Sequence, residues 1–210
     1  RFESPDEERN IDFAIRYNHY IGDTEFGLSV FQGTSREAEL NPGLNSNSQP
    51  VLIPFYPQMT QYGIDLQTIQ GDWTWKLEAI HRSLDAGSFN AATAGFEYTF
   101  YSIMQSAVDL GTLFEYSWDS RDINPPVFDN DIFGGFRFVF NDVQSSEILA
   151  GLVVDTDNSS QSMRIEASRR LGESWKLTGE LQVFTHIDAS DPLLAFKNDD
   201  YLLIELARYY

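Results

Sequence analysis

The sequence predicts an all-β fold, an antiparallel transmembrane β-barrel with about eleven strands visible here and twelve or more in the complete ring. Three observations carry that expectation. Apolar residues recur at every second position over nearly the whole length, the period of a strand rather than the i, i+3, i+4 spacing of a helix. No apolar run approaches the roughly 20 residues a membrane helix needs, whereas a membrane strand needs only about 9 to 11, half of them polar. Short Gly-containing turns alternate with long polar loops, the asymmetry of barrels whose two ends face different compartments.

Strands are expected at residues 11 to 20, 24 to 32, 61 to 70, 73 to 82, 93 to 101, 107 to 119, 131 to 141, 146 to 155, 162 to 171, 175 to 186 and 201 to 210. In the clearest of them Trp175, Leu177, Gly179, Leu181 and Val183 face one way, and Lys176, Thr178, Glu180, Gln182 and His186 the other. Gly22-Asp23 joins the first two strands and Gly71-Asp72 the third and fourth, two-residue hairpin signals in which Gly supplies the positive φ. Such a turn pairs Ile21 with Thr24 and sets Tyr20 beside Glu25 on the polar face. Gly172-Glu173-Ser174 supplies the odd-length loop that strands nine and ten require. Residues 33 to 60 with four prolines, 83 to 92, 120 to 130 with Pro125-Pro126, 156 to 161 and 188 to 199 read as long irregular loops.

Composition narrows the class. The net charge of −18 leaves no basic face for phosphates, which excludes nucleic acid as a partner. Cysteine is absent, so disulfide scaffolds, thiol catalysis and Cys-based zinc sites are excluded together. Aromatics reach 14 % of the chain, and Trp73, Trp75, Trp118 and Trp175 all fall on the apolar faces, as membrane-interface girdles do. Residues 1 to 5 have neither the basic start nor the apolar core of a signal peptide.

The last strand, 201 to 210, alternates and stops on an aromatic residue, Tyr210, where it resembles the closing strand of bacterial outer-membrane barrels; Arg208 departs from that pattern by taking an outward position. Four strings, Gly33-Thr34-Ser35-Arg36-Glu37, Phe96-Glu97-Tyr98-Thr99-Phe100-Tyr101, Leu171-Gly172-Glu173-Ser174-Trp175-Lys176-Leu177 and Glu205-Leu206-Ala207-Arg208-Tyr209, look like the C-terminal half of poorly characterised proteobacterial outer-membrane porin-like proteins. The resemblance implies a bacterial outer-membrane location, contact with its lipids and lipopolysaccharide, and a whole protein longer than this chain. Placing Tyr210 at the periplasmic rim puts the short turns inside and the long loops outside, so the first strand begins outside the cell. A single-chain bacterial barrel has an even strand number and a periplasmic N-terminus. Residues 1 to 210 are therefore expected to be one barrel domain that N-terminal strands, or another chain, would complete.

The polar faces supply the candidate functional residues, because a mid-membrane Arg or Lys facing lipid costs about 2 to 4 kcal/mol. The lumen and selectivity candidates are Arg16, Lys76, Glu78, Arg82, Glu97, Glu115, Arg137, Arg164, Glu166, Arg170, Lys176 and Glu180. They read either as a charged pore wall that orients small polar solutes or as a salt-bridged filling. Loop carboxylates at Glu37, Glu39, Asp119, Asp122, Asp129, Asp131, Asp155, Asp157, Asp188, Asp191, Asp199 and Asp200 suit hard cations, so loop-bound divalent ions are the one cofactor considered. Asp155 and Asp157 begin a partial match to a calcium loop, but Ser160 stands where that loop needs glycine. His19 and His81 lie on apolar faces, and His186 has Asp188 and Ser190 close behind it along one strand end, which is not the spacing of a triad. The expectation is a passive channel rather than an enzyme. Its alternatives are a non-conducting structural or docking barrel, and a secreted all-β carbohydrate-binding module that would pack its apolar faces as two sheets.

Overall fold

The computed structural model describes residues 1–121 and 126–210; the expectations placed on Asp122 and Pro125 lie outside them. Apart from three short 3-10 turns, its regular structure is strand: β1 (Phe13–Ile21), β2 (Thr24–Thr34), β3 (Glu39–Leu44), β4 (Pro50–Phe55), β5 (Gln58–Gln70), β6 (Trp73–Leu84), β7 (Gly87–Phe100), β8 (Asp109–Asp119), β9 (Asn130–Val139), β10 (Glu147–Asp155), β11 (Gln161–Leu171), β12 (Trp175–Thr185) and β13 (Tyr201–Arg208). Eleven strands form one sheet in the order β1-β2-β5-β6-β7-β8-β9-β10-β11-β12-β13, and β3-β4 is a separate ribbon. The eleven are those the alternation predicts. Sheet neighbours follow chain order in an antiparallel fold; β1 and β13 are the two edges, and the sheet is not closed.

Contacts divide the chain into two compact units, Arg1–Leu66 with Glu78–Ala91, and Gln67–Leu77 with Ala92–Tyr210. In the first, β1 pairs with β2 from Phe13↔Gln32 to Ile21↔Thr24, and Tyr20 stands opposite Glu25 as expected. Gly22 takes φ +59 in the connecting turn. Positive φ at the first central residue is the type II′ arrangement, whose twist matches that of the flanking strands. A Cβ added at Gly22 would meet nothing within 4 Å. Gly22→Ala is therefore expected to cost only the left-handed backbone penalty, about 1 to 2 kcal/mol, seen as a lower urea midpoint of unfolding; an unchanged midpoint would rule out the turn geometry.

Two expected loops are ordered strand in this unit. Within 33 to 60, β3 and β4 pair from Glu39↔Phe55 to Leu44↔Pro50. A two-stranded ribbon tolerates the prolines that signal a loop, because each strand has a free edge. The N-terminal segment is tied to this ribbon: the Arg1 ammonium donates to the Pro54 carbonyl at 2.6 Å, and the Phe2 and Tyr56 rings stack with centroids 5.1 Å apart. The expected loop at 83 to 92 reduces to Asp85 and Ala86 between β6 and β7. Here the alternation inverts. Ser83, Ser88 and Asn90 take the positions that are apolar lower in these strands, and Phe89 turns to the polar side, buried, with the Arg82 guanidinium 5.2 Å from its ring centroid. An inverted alternation carries no apolar-out signal, so the sequence reads as loop.

In the second unit the ladders from β8 to β13 are continuous in register. Leu171↔Trp175 closes β11-β12 over Gly172-Glu173-Ser174, the predicted three-residue connection. The outward faces carry aromatic rings near strand ends: Trp73 stacks on Trp75 at 5.4 Å and meets Tyr98 at 4.6 Å, while Trp118 and Tyr116 stand near the opposite end of β8. The outward Arg208 has a local explanation, since its guanidinium lies over Trp175 at 5.4 Å and Tyr210 at 4.9 Å.

Burial is inverted relative to an ordinary soluble domain. Among the described residues the buried apolar side chains are Phe89, Leu193 and Pro57. The chain exposes 14295 Å², against about 9,900 Å² expected from size scaling for a compact monomer of its mass. Outward residues of inner strands, such as Leu177 at 37 %, remain accessible, and those of the edges, Ile15 at 76 % and Ile204 at 67 %, still more so.

Candidate functional site

The polar face of the sheet gathers the charged side chains into local ion pairs. In the first unit Arg16 reaches across β2 to Asp65 on β5, Nη2 to Oδ1 at 2.8 Å, while its Nε donates to the Asn18 carboxamide oxygen at 2.8 Å. Gly27 makes that crossing possible: a Cβ there would stand 2.6 Å from both Asp65 carboxylate oxygens and 2.7 Å from Arg16 Nη2. Arg82 donates to Gln61 Oε1 at 2.9 Å and to Glu37 at 3.0 Å. These two groups and Arg36 line a cavity of about 660 Å³. Glu78 shares the polar face of β6 with Arg82. At the start of β1, Asp12 accepts from the Thr34 amide at 2.8 Å and pairs with Arg36 at 2.7 Å; chiefly the Thr34 hydrogen bond holds its carboxyl below the usual range.

In the second unit Lys76 stands 3.9 Å from Glu97, and Arg137 stands 3.7 Å from Glu147. Glu115 lies against Gly95, where an added Cβ would come within 2.6 Å of its Cγ. The tightest group is on β11 and β12. Glu166 and Glu180 oppose each other directly across the ladder, a repulsive placement on its own. Arg164 joins them, with Nε 2.5 Å from Glu166 and Nη2 3.0 Å from Glu180, and the Tyr201 hydroxyl donates to Glu180 as well. Arg170 and Lys176 also oppose each other, and they line a cavity of about 830 Å³ with Asp142, Glu147, Glu173 and Tyr209. In the adjoining loop the Ser146 amide and hydroxyl hold the Asp142 carboxyl below its ordinary range.

The sequence places these charges on one face correctly, and the tight turn between β11 and β12 implies the pairing of Arg164 with Glu180 across that hairpin, but it does not pair Arg82 with Glu37 or Arg16 with Asp65, whose partners come from distant segments. It also misses the apolar residues among them. Leu149 sits opposite Arg137 and Glu166, Leu203 opposite Glu180, and Phe133 opposite Glu115, all on the polar face. Strand parity alone could have found them. A ring such as Phe133 is accommodated because Gly135 and Gly151 leave space beneath it.

Of the two cation candidates, Asp155 is spent on its own loop: its oxygens accept from the Asp157 amide at 2.6 Å and from the Asn158 amide and carboxamide at 3.0 and 2.8 Å. Asp157 accepts from Asn130 Nδ2 at 2.9 Å. Nearby Asp129 has its carboxyl pushed up, first by burial and then by the charge of Asp155. His186 Nδ1 is 2.9 Å from the Thr185 hydroxyl, and Ser190 donates its hydroxyl to Asp188 at 2.7 Å, which with the Ser190 amide draws that carboxyl down. No protein family, curated protein or solved structure matches the chain.

Proposed function

We propose that the chain belongs to a porin-like β-barrel of a bacterial outer membrane, through which small polar solutes pass passively along the charged face. One observation carries the reading: an eleven-stranded sheet has one face of accessible apolar side chains and another that gathers the ion-paired Arg and acids, while Phe89, Leu193 and Pro57 are the buried apolar side chains among the described residues. Water is a poor solvent for the first face and lipid for the second. A carbohydrate-binding sandwich would bury its apolar faces between two sheets, which fits this burial pattern badly. Lipid acyl chains and lipopolysaccharide would cover the outward face, with the Trp girdles at the interfaces. An antiparallel ring needs an even count, so the eleven strands of this sheet favour closure by an odd number of further strands. No step of the reading requires catalysis; the fixed charges would filter by size and sign.

Full-length protein reconstituted in planar bilayers tests it. Ohmic conductance steps are expected. A silent bilayer would favour the second reading, a non-conducting structural barrel, for which the mutually satisfied Arg164, Glu166 and Glu180 cluster speaks.

A further inference from the structure

The short-turn end of the second unit sets two cations against each other. Arg170 near the end of β11 and Lys176 near the start of β12 are directly opposed across the ladder, so they stand on the same face of the hairpin. Like charges directly opposite are destabilising. On the same polar face Lys76 has Glu97, Arg137 has Glu147, and Arg164 has both Glu166 and Glu180. Arg170 and Lys176 enter no ion pair among the described residues. The fold therefore keeps an unfavourable pair of charges and gives neither a counter-charge of its own.

Both residues line the cavity of about 830 Å³. Its walls are tied together by the backbone: the Arg170 amide donates to the Gln144 carbonyl of the β9-β10 connection at 2.9 Å, and the Tyr209 amide donates to the Ser174 carbonyl of the β11-β12 turn at 2.7 Å. Two of the three acids on these walls are already committed. Asp142 accepts from the Ser146 amide and hydroxyl at 2.7 and 2.8 Å; Glu147 accepts from the Ser168 hydroxyl at 3.2 Å and stands 3.7 Å from Arg137. The third, Glu173, is exposed in the hairpin turn. What the cavity leaves unspent is cationic, a guanidinium and an ammonium side by side.

We propose that this cavity binds the phosphate group of a small solute, with Arg170 and Lys176 as its paired counter-charges. A guanidinium presents a planar fork of N–H donors and an ammonium a compact point charge, and phosphate oxygens accept from both. Charge decides between the oxyanions. A phosphate monoester carries about −1.5 to −2 near pH 7, enough to offset two cations, whereas a carboxylate brings a single charge and leaves half of the repulsion standing. Binding also relieves the opposed pair, so phosphate and hairpin stability are coupled. The proposal names a solute class for the charged face and rests on the channel reading for the source of the phosphate. The ladder residues of the cavity, Glu147, Ser168, Arg170 and Lys176, all belong to the polar face, which that reading turns away from lipid.

The test titrates the full-length protein with sodium phosphate in phospholipid-free micelles of a nonionic detergent, by calorimetry and by melting temperature. Saturable binding and a higher melting temperature are expected. Arg170→Gln and Lys176→Gln should each weaken phosphate at least about tenfold, the loss of one hydrogen bond between charged groups. Arg169→Gln removes the same charge from the opposite face and should leave the affinity unchanged, while Glu173→Gln should raise it. Without phosphate, Lys176→Gln should melt no lower than the parent, because it ends the repulsion. The proposal is overturned if phosphate neither binds saturably nor raises the melting temperature, if both Arg170→Gln and Lys176→Gln bind it like the parent, or if Arg169→Gln weakens it equally. Short-chain phosphatidylglycerol added to the micelles should not displace phosphate; displacement would make the ligand a lipid headgroup and overturn the assignment to a solute. Phosphate binding with a silent bilayer would remove the channel and keep the site, whereas ohmic steps without phosphate binding would remove the site and keep the channel. Should one Gln variant fail to fold, the other decides.

Discussion

Gly95→Val is expected to abolish folding of the second unit, costing about 3 kcal/mol or more, the upper range for overpacking. Gly95 lies on β7 facing the polar side, where a Cβ would drive into the Phe114 carbonyl oxygen and stand 3.0 Å from the Glu115 Cα. Both atoms belong to the backbone of β8. A side chain could rotate away, as Asp65 can at Gly27, but a ladder strand can yield only by losing hydrogen bonds to its neighbour. With total stabilities of about 5 to 15 kcal/mol for a folded chain, one such clash removes a large share. Gly134 and Gly179 provide the controls, because nothing lies within 4 Å of a Cβ at either. Gly134→Ala and Gly179→Ala should fold with unchanged or slightly higher urea midpoints, the β-propensity of alanine exceeding that of glycine. The measurement is the fraction of folded, heat-modifiable protein on unboiled gels together with the urea midpoint. If Gly95→Val matched Gly134→Ala in both, the close approach of β7 and β8 would be refuted.

What the sequence could reveal follows from which signals are local. Strand parity and turn chemistry are local, so the faces of Trp175 to Val183, the Ile21↔Thr24 register and the Gly172 loop are all legible in the order of the residues alone. The β3-β4 ribbon is not, because Pro42, Pro50 and Pro54 are loop signals wherever free strand edges are not anticipated. The β6-β7 tip is hidden for a different reason: Leu84 and Phe89 exchange faces with Ser83 and Asn90, so the pattern persists with its sign reversed. Pairing across the polar face is hidden by distance in sequence. Arg16 and Asp65 are separated by a hairpin and a ribbon, and the enabling residue, Gly27, has no charge to draw notice. The facing carboxylates of Asp131 and Asp155 show the same limit, since each reads as one more loop acid until the ladder sets them opposite each other.

Arg164→Glu is expected to leave the protein folded while shifting its ion selectivity strongly toward cations. The stability change is small because the group is half-exposed: the Arg164 side chain is 51 % accessible, and such pairs contribute about 0.2 to 1 kcal/mol each after screening. Losing two pairs and adding repulsion among residues 164, 166 and 180 amounts to about 1 to 2 kcal/mol. The electrostatic consequence is larger. Glu166 and Glu180 oppose each other with Arg164 as their shared counter-charge, so the substitution turns a near-balanced patch into three adjacent carboxylates. A solute moving along this face would meet a charge two units more negative, in a confined space where fields are focused. The cation-to-anion permeability ratio of reconstituted protein should rise several-fold, read from the reversal potential in a potassium chloride gradient. Glu180→Lys should move it the other way. The Debye length falls from about 10 Å at 0.1 M to 3 Å at 1 M salt, so both shifts should shrink in concentrated salt. A protein that conducts but keeps the parent reversal potential in both variants at low salt would remove this cluster from the path of the solute, leaving it the role of stiffening β11 against β12.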